Sequence, residues 1–226
     1  MREMKKAMTL KLIPSRNKKN YYKIYLEDEF LGSLPQKLIP AEYFLQASST
    51  IADDAWQPSV SNDFIKFVKE WVHNNALSLL LDYLAKMERT TNDCKIYLRR
   101  WDVPEEVISS AIEQAKQKKW VSNERYAELY VEEAALAGRS PLDAKHKLLR
   151  KKVSSDVIDK VINNAYDRET KETIIKELIE KLMSRYAELH PSKQFEKIAT
   201  ALYRKGFEYG DYEELLRGRI KTSLLF

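Results

Sequence analysis

Residues 89–115 read RTTNDCKIYLRRWDVPEEVISSAIEQA, and residues 139–165 read RSPLDAKHKLLRKKVSSDVIDKVINNA. The two stretches align without a gap, so that Leu148 follows Leu98 after an interval of 50 residues. A fixed period of tens of residues is typical of tandem helical units, which bury their apolar faces by stacking on their neighbours. The repeat therefore predicts a mainly α-helical binding protein rather than a pocket-centred enzyme.

Each copy carries the signals of successive helices. Thr90 in the first copy and Ser140 in the second are suited to cap a helix, and an aspartate follows each of them after three residues. A weaker third copy contains Leu202 and Phe207, which keep the five-residue step between apolar residues found in the other two. The sequence predicts three tandem three-helix repeats in an elongated array: residues 63–120, 121–166 and 167–226.

Residues 1–62 have a different character from the rest of the chain. Residues 21–26 are aromatic and β-branched, residues 30–34 follow a two-residue turn, and residues 9–13 are a candidate third strand. Residues 48–62 are polar and rich in turn formers, which is typical of a linker. We therefore expect a small β-containing N-terminal extension that is semi-independent of the helical repeats.

The composition bounds the class of protein. Hydrophobic residues make up 44% of the 226 residues and aromatic residues 11%, which is enough for folded cores. The single cysteine, Cys94, excludes an internal disulfide and a multi-thiolate metal site, as is usual in a reducing compartment. The sequence contains no signal-peptide core and no apolar run long enough to span a membrane. These features predict a cytoplasmic protein without a membrane segment.

The cations gather at the end of the second helix of each repeat. The net charge of +5 and the pI near 9.0 permit a polyanionic partner. Cations favour helix C-termini, where they offset the macrodipole, but four cations in the middle repeat exceed what this effect needs. Stacked repeats would align these ends in a basic stripe suited to phosphates or to an acidic protein groove. The candidate binding residues are Arg99 and Arg100, then Lys147, Arg150, Lys151 and Lys152, then Arg204 and Lys205.

Several residues at helical spacing are predicted to be core rather than contact residues. Leu148 and Val157 both recur 50 residues after an equivalent apolar residue, as packing between stacked helices requires. The aromatic residues predicted to lie in the core are Tyr97, Trp101, Trp120, Tyr126, Tyr130 and Tyr203.

Signals for catalysis or metal binding are absent from the sequence. His73, His146 and His190 are isolated from one another, without metal-ligand spacing. Cys94 lies in the first turns of a predicted helix, which favours a lowered thiol pKa, but no neighbouring motif supports a nucleophile. The five glycines match neither phosphate-binding fingerprint. The sequence therefore predicts a non-enzyme without a metal or another cofactor.

The repeated motifs resemble those of a known family. R-[ST]-x-x-[DE], L-x-x-x-x-hydrophobic and [VI]-I occur in order in both copies, [DN]-E-x-[FY]-A lies between them, and L-x-R-x-G-F comes near the end. This order and spacing is similar to that of the RecX family of recombinase regulators. The resemblance covers about residues 76–219, and residues 22–30 are similar to the strand-rich extension of the longer members. The matching segments are residues 89–108, 123–127, 139–158 and 202–207.

The resemblance implies a function and partners. Members of this family bind the RecA recombinase filament on single-stranded DNA and restrain its ATPase and strand-exchange activities. The resemblance implies the same role here, and we expect the chain to act as a monomer. The chain departs from the family pattern at Asp102 and Lys152, where glycine is usual. Both residue types are expected to adopt the left-handed backbone conformation in its place.

Two other functions are compatible with the sequence. The protein could bind DNA directly, using its three-helix units like helix-turn-helix modules, or it could be a structural adaptor for an unrelated protein partner. A salt titration on naked DNA separates them. Tight binding with a steep salt dependence favours the direct DNA binder, and no DNA binding with or without recombinase favours the adaptor.

Overall fold

The structure, a computed structural model, describes residues 10–47 and 60–223. Most of these residues are helical, and a three-stranded antiparallel sheet precedes the helices. The chain divides into two compact units, Met1–Val121 and Ser122–Phe226. The predicted mainly α-helical fold with a small β-containing N-terminal extension is confirmed.

The sheet has the predicted hairpin and third strand. Its strands are β1 (Leu10–Pro14), β2 (Tyr21–Leu26) and β3 (Glu29–Pro35), with β2 in the middle. Glu27 and Asp28 connect β2 to β3 with positive φ angles of 48° and 67°, as a type I′ hairpin turn requires. A 3₁₀ turn (Gln36–Leu38) and helix α1 (Ala41–Ala47) follow. Most of the predicted linker, residues 48–62, lies outside the described residues.

The sheet shares a hydrophobic core with α2 (Asn62–Leu84), the first long helix. Ile24 and Leu34 of the sheet are fully buried in this core together with Val68 and Val72 of α2. The expectation that the extension is semi-independent of the helical repeats stays a prediction. The spacing of apolar residues showed which face of α2 is buried, and the sheet together with Tyr43 of α1 covers that face in the N-terminal half.

The remaining helices follow in the order that the repeat predicts. They are α3 (Thr91–Arg100), α4 (Glu105–Gln117), α5 (Asn123–Leu136), α6 (Pro141–Arg150), α7 (Ser155–Ala165), α8 (Arg168–Arg185), α9 (Pro191–Arg204) and α10 (Tyr209–Ser223). The C-terminal half of α2 packs with α3 and α4 around Leu80 and Ile108. In the second unit, α5 to α10 contribute to a single core. The division into three repeats at residues 120 and 166 stays a prediction.

Equivalent positions of the copies lie in these cores. Leu98, Leu148 and Leu202 are each fully buried. Val157 is half-buried and packs against the core of the second unit. The prediction that Leu148 and Val157 are core residues is confirmed.

The predicted helix caps are also present. The Thr90 hydroxyl accepts a hydrogen bond from the Asp93 N–H at 3.1 Å, and the Asp93 carboxylate accepts one from the Thr90 N–H at 3.3 Å. The Ser140 hydroxyl accepts a hydrogen bond from the Asp143 N–H at 3.1 Å. These bonds satisfy backbone donors that a helix start leaves free, and they set where α3 and α6 begin.

Candidate partner-binding surface

The second helix of each predicted repeat ends in the same backbone geometry. After the C-caps of α3, α6 and α9, φ is 53° at Asp102, 61° at Lys152 and 90° at Gly206. The following N–H reaches back to the carbonyl of a buried leucine, as from Val153 to Leu148 at 3.2 Å. This Schellman motif satisfies carbonyls that a helix end leaves free. The expectation that Asp102 and Lys152 adopt the left-handed conformation is confirmed.

Lys152→Gly is expected to stabilise the second unit. The left-handed conformation costs a residue with a side chain roughly 1–2 kcal/mol. The greater chain entropy that glycine loses on folding offsets about 0.5–1 kcal/mol of this gain. The free energy of unfolding should therefore rise by about 0.5–1 kcal/mol in urea denaturation followed by circular dichroism. Lys152→Ala removes the same charge without the conformational gain, so equal stability of the two variants would contradict the prediction.

The first basic cluster lies at the end of α3 and is partly neutralised. The Arg99 guanidinium donates two hydrogen bonds to the Glu105 carboxylate, at 2.9 Å from Nε and 2.7 Å from Nη2. These hydrogen bonds lower the pKa of the Glu105 carboxyl. Arg100 is exposed and forms no ion pair with any residue that the structure describes. Of the two predicted binding residues in this cluster, Arg100 alone presents an uncompensated charge.

The loop between β1 and β2, residues 15–20, packs against the end of α3. The Lys18 ammonium donates a hydrogen bond to the Trp101 carbonyl at 2.8 Å and lies 4.6 Å from the centre of the Trp101 ring. The Ser15 hydroxyl donates a hydrogen bond to the Asp102 carboxylate at 3.0 Å. Burial lowers the pKa of Lys18. The loop thus satisfies both a carbonyl and a carboxylate at this helix end.

The basic residues that the sheet brings to the end of α3 were not among the predicted binding residues. Lys23 of β2 forms an ion pair with Asp102 at 2.8 Å. Arg16 and Lys19 lie in the loop on either side of Lys18, and both are exposed. The only signal in the sequence is the basic character of this loop. Its contact with α3 joins residues 83 positions apart, which no local pattern predicts.

The middle basic cluster lies at the end of α6, where the structure brings together four of the predicted residues. Arg150 and Lys152 are exposed, and Lys147 and Lys151 are half-buried. Within the described residues, Lys147, Arg150 and Lys152 form no ion pair. This helix end therefore presents the largest uncompensated positive charge among the predicted sites.

The third cluster, Arg204 and Lys205, lies at the end of α9 beside the start of α6. The buried Ser140 hydroxyl donates a hydrogen bond to the Lys205 carbonyl at 2.7 Å. Arg204 and Lys205 are exposed and have no ion-pair partner between residues 60 and 223 or in the described N-terminal segment. Because α6 has 10 residues, the ends of α9 and α6 lie roughly 15 Å apart.

Tyr203, next to this third cluster, is 71% exposed. The prediction that it is a core residue is wrong, because the buried face of α9 follows Ile198 and Leu202, and successive helical residues point about 100° apart. The prediction is also wrong for Trp120, which is 37% exposed. The other predicted core aromatics pack against the cores of their units: Tyr97, Trp101, Tyr126 and Tyr130.

Among the described residues, those suited to catalysis are not assembled into a site. Cys94 is buried, and burial raises the pKa of its thiol to about 12, whereas its place in the helix favoured a lowered value. The thiol is therefore protonated at neutral pH and is not an activated nucleophile. In the part of the chain that the structure describes, no three His, Cys, Asp or Glu side chains are placed to hold a metal ion. No helix in that part is long and apolar enough to cross a membrane.

Curated proteins from streptococci are similar to this chain over most of its length. The regulatory protein RecX of Streptococcus gordonii is 27% identical over 202 residues, which cover 88% of this chain and 73% of the relative. The regulatory protein RecX of Streptococcus sanguinis is 26% identical over the same shares of the two chains. No protein-family model matches the chain.

Solved structures show the same fold. A crystal structure of a regulatory protein RecX superposes with a TM-score of 0.62 at 22% identity, covering 91% of this chain and 97% of its own. The crystal structure of RecX from Lactobacillus salivarius superposes with a TM-score of 0.63 at 23% identity, covering 68% of this chain and 99% of its own.

The fold and the similar sequences define a helical regulatory protein. More specifically, the chain is similar to RecX regulatory proteins over most of its length, in agreement with the order and spacing of its repeated motifs. Its relatives are regulatory proteins, in agreement with the expectation that the chain is not an enzyme.

Proposed function

We propose that this protein binds a RecA-type recombinase filament on single-stranded DNA and inhibits its ATPase and strand-exchange activities. The observation that carries the proposal is the recurrence, at the same helix end in each predicted repeat, of exposed cations that form no ion pair within the described residues. Arg100, Arg150, Lys152, Arg204 and Lys205 are exposed in this way. A recombinase filament on DNA offers a regular series of anionic sites, which a series of basic helix ends matches.

Linked weak contacts account for the strength of the proposed binding. One exposed ion pair contributes only about 0.2–1 kcal/mol, so a single cluster would bind weakly. When clusters are joined in one chain, each contact after the first is intramolecular and forms at a high effective concentration. Because the linked repeats supply several contacts, we propose that the protein acts as a monomer. We also propose that it acts in the cytoplasm.

The exposure of Tyr203 favours a partner that contains single-stranded DNA. Surfaces that bind single strands combine cations for the phosphates with aromatic side chains on which bases stack. Tyr203 is 71% exposed and directly precedes Arg204 and Lys205. Inhibition then follows if the bound protein stabilises a filament conformation that is poor in ATP turnover, or if it occupies the place of the second DNA strand.

Reversal of the middle cluster is expected to weaken filament binding strongly. The variant Arg150→Glu, Lys151→Glu, Lys152→Glu should bind RecA filaments on single-stranded DNA at least about tenfold more weakly, a loss of about 1.4 kcal/mol or more, because three attractive charges become repulsive. Its binding should also depend less on salt concentration. Co-sedimentation with filaments assembled with an ATP analogue measures both quantities, and a parallel ATPase assay reports inhibition.

A matched control distinguishes the effect of this cluster on binding from the effect of net charge. Lys181, Lys193 and Lys197 are exposed cations of the same unit outside the clusters, and their reversal to Glu changes the net charge equally. This control should bind like the wild type. Equal loss in the two variants would show that only net charge matters, and unchanged binding of the folded middle-cluster variant would refute the assignment. If the wild type does not bind the filament, the result would favour the alternative function of a structural adaptor.

A further inference from the structure

The β1–β2 loop is held in place by its own contacts. The Ser15 N–H donates a hydrogen bond to the Tyr21 carbonyl at 2.8 Å, and the Asn20 carbonyl accepts one from the Gln36 N–H at 2.8 Å. Between these two anchors, the Lys18 ammonium is bound to the Trp101 carbonyl of the α3 end. The loop is therefore held by hydrogen bonds at both ends and in the middle.

The other two cations of this loop are Arg16 and Lys19. At the end of α3, Lys18 donates a hydrogen bond to the Trp101 carbonyl, and Lys23 forms an ion pair with the Asp102 carboxylate. Arg16 and Lys19 are exposed, and neither forms an ion pair, a hydrogen bond or a ring contact with the described part of the chain. Arg100, directly before Trp101, is exposed in the same way. Three uncompensated cations thus lie around one contact between the sheet and a helix end.

The nearby carboxylates do not cancel this charge. Asp102 has only 10% of its side chain exposed and is already bonded to Ser15 and Lys23. Glu105 is engaged by both donors of Arg99. The surface formed by the loop and the end of α3 therefore carries a net positive charge, although the macrodipole is negative at a helix C-terminus.

The chemistry of the loop fits phosphates better than a protein surface. Its six residues are Ser15, Arg16, Asn17, Lys18, Lys19 and Asn20, and none of them is apolar. Protein–protein interfaces have apolar centres in which lysine is depleted. Contacts to nucleic-acid backbones, in contrast, come from Arg and Lys together with the short polar side chains Ser and Asn.

We propose that Arg16, Lys19 and Arg100 form a binding site for the backbone phosphates of single-stranded nucleic acid. The N-terminal sheet thus adds a second set of cations to the first basic cluster, whose Arg99 is occupied by Glu105. The inference extends the proposed function and rests on it only for the identity of the strand, since phosphate binding is testable without recombinase.

Binding of a fluorescein-labelled oligo(dT) to the full chain, measured by fluorescence anisotropy at low salt and over a salt series, tests this site. The variant Arg16→Glu, Lys19→Glu should bind at least about tenfold more weakly than the wild type. Loss of two phosphate contacts should also reduce the slope of log K against log salt by roughly 1.4, at about 0.7 per contact for single strands. Circular dichroism should show an unchanged fold, because neither side chain makes a described contact.

The matched control is Lys69→Glu, Lys118→Glu, which reverses two exposed cations of the same unit outside the loop. It should bind oligo(dT) like the wild type. Oligo(dT) binding that is unchanged in the loop variant, or unmeasurable in the wild type, would overturn the site while leaving the proposed function standing. A loop variant that binds oligo(dT) normally but loses filament binding would mean that these cations contact an acidic protein surface instead.

Discussion

Leu148→Ala is expected to lower the free energy of unfolding by about 2–5 kcal/mol. Leu148 is fully buried in the core that α5 to α10 share, and its carbonyl accepts the hydrogen bond that closes the end of α6. Truncation removes buried methyl groups and leaves a cavity that packed helices fill only in part. Urea denaturation followed by far-UV circular dichroism measures the loss.

The adjacent residue provides the control for this prediction. Leu149 is 41% exposed, so Leu149→Ala changes the same side chain by the same atoms with little loss of packing. The two variants should differ by at least about 1.5 kcal/mol, since surface substitutions stay within about 0.5 kcal/mol of the wild type. Equal stability of the two would contradict the burial of Leu148 and, with it, the repeat that predicts this burial.

Gly32→Ala is expected to destabilise the first unit by roughly 2–6 kcal/mol, from backbone strain and overpacking of about 1–3 kcal/mol each. Gly32 lies in β3 with a φ of 134°, which residues with a side chain rarely adopt. A Cβ at this position would lie 2.5 Å from a methyl group of Val72 in α2. All four tryptophans precede Ser122, so their fluorescence during urea denaturation reports this unit.

Two further variants make this prediction specific. Gly210→Ala should leave stability unchanged or raise it by up to about 1 kcal/mol, because a Cβ at Gly210 has no neighbour within 4 Å. Val72→Ala removes the methyl groups that a Cβ at Gly32 would meet. The double variant Gly32→Ala, Val72→Ala should therefore lose less stability than the sum of the single variants. Additive losses would show that contact between the sheet and α2 is not what limits position 32.

The candidate surface was predictable from the sequence only where it depends on neighbouring residues. The places of Arg150, Lys152, Arg204 and Lys205 at helix ends follow from the repeat, because each helix end is marked by an apolar residue five positions after a leucine. Whether each cation is paired with a carboxylate does not follow from the repeat. Arg99 is neutralised by Glu105 of the next helix, which only the packing of α3 against α4 reveals.

The sequence by itself determined the helices, their caps and the leucines that recur in the cores, Leu98, Leu148 and Leu202. These features depend on residues within about one turn of each other, as with Thr90 and Asp93, so periodicity and capping chemistry suffice to predict them. Tertiary structure alone decided what covers each face. The sheet and Tyr43 of α1 bury the N-terminal half of α2, and Lys18 reaches Trp101 across 83 positions of sequence. Such contacts form because distant apolar and charged groups meet when the chain folds, and no local pattern records which groups will meet.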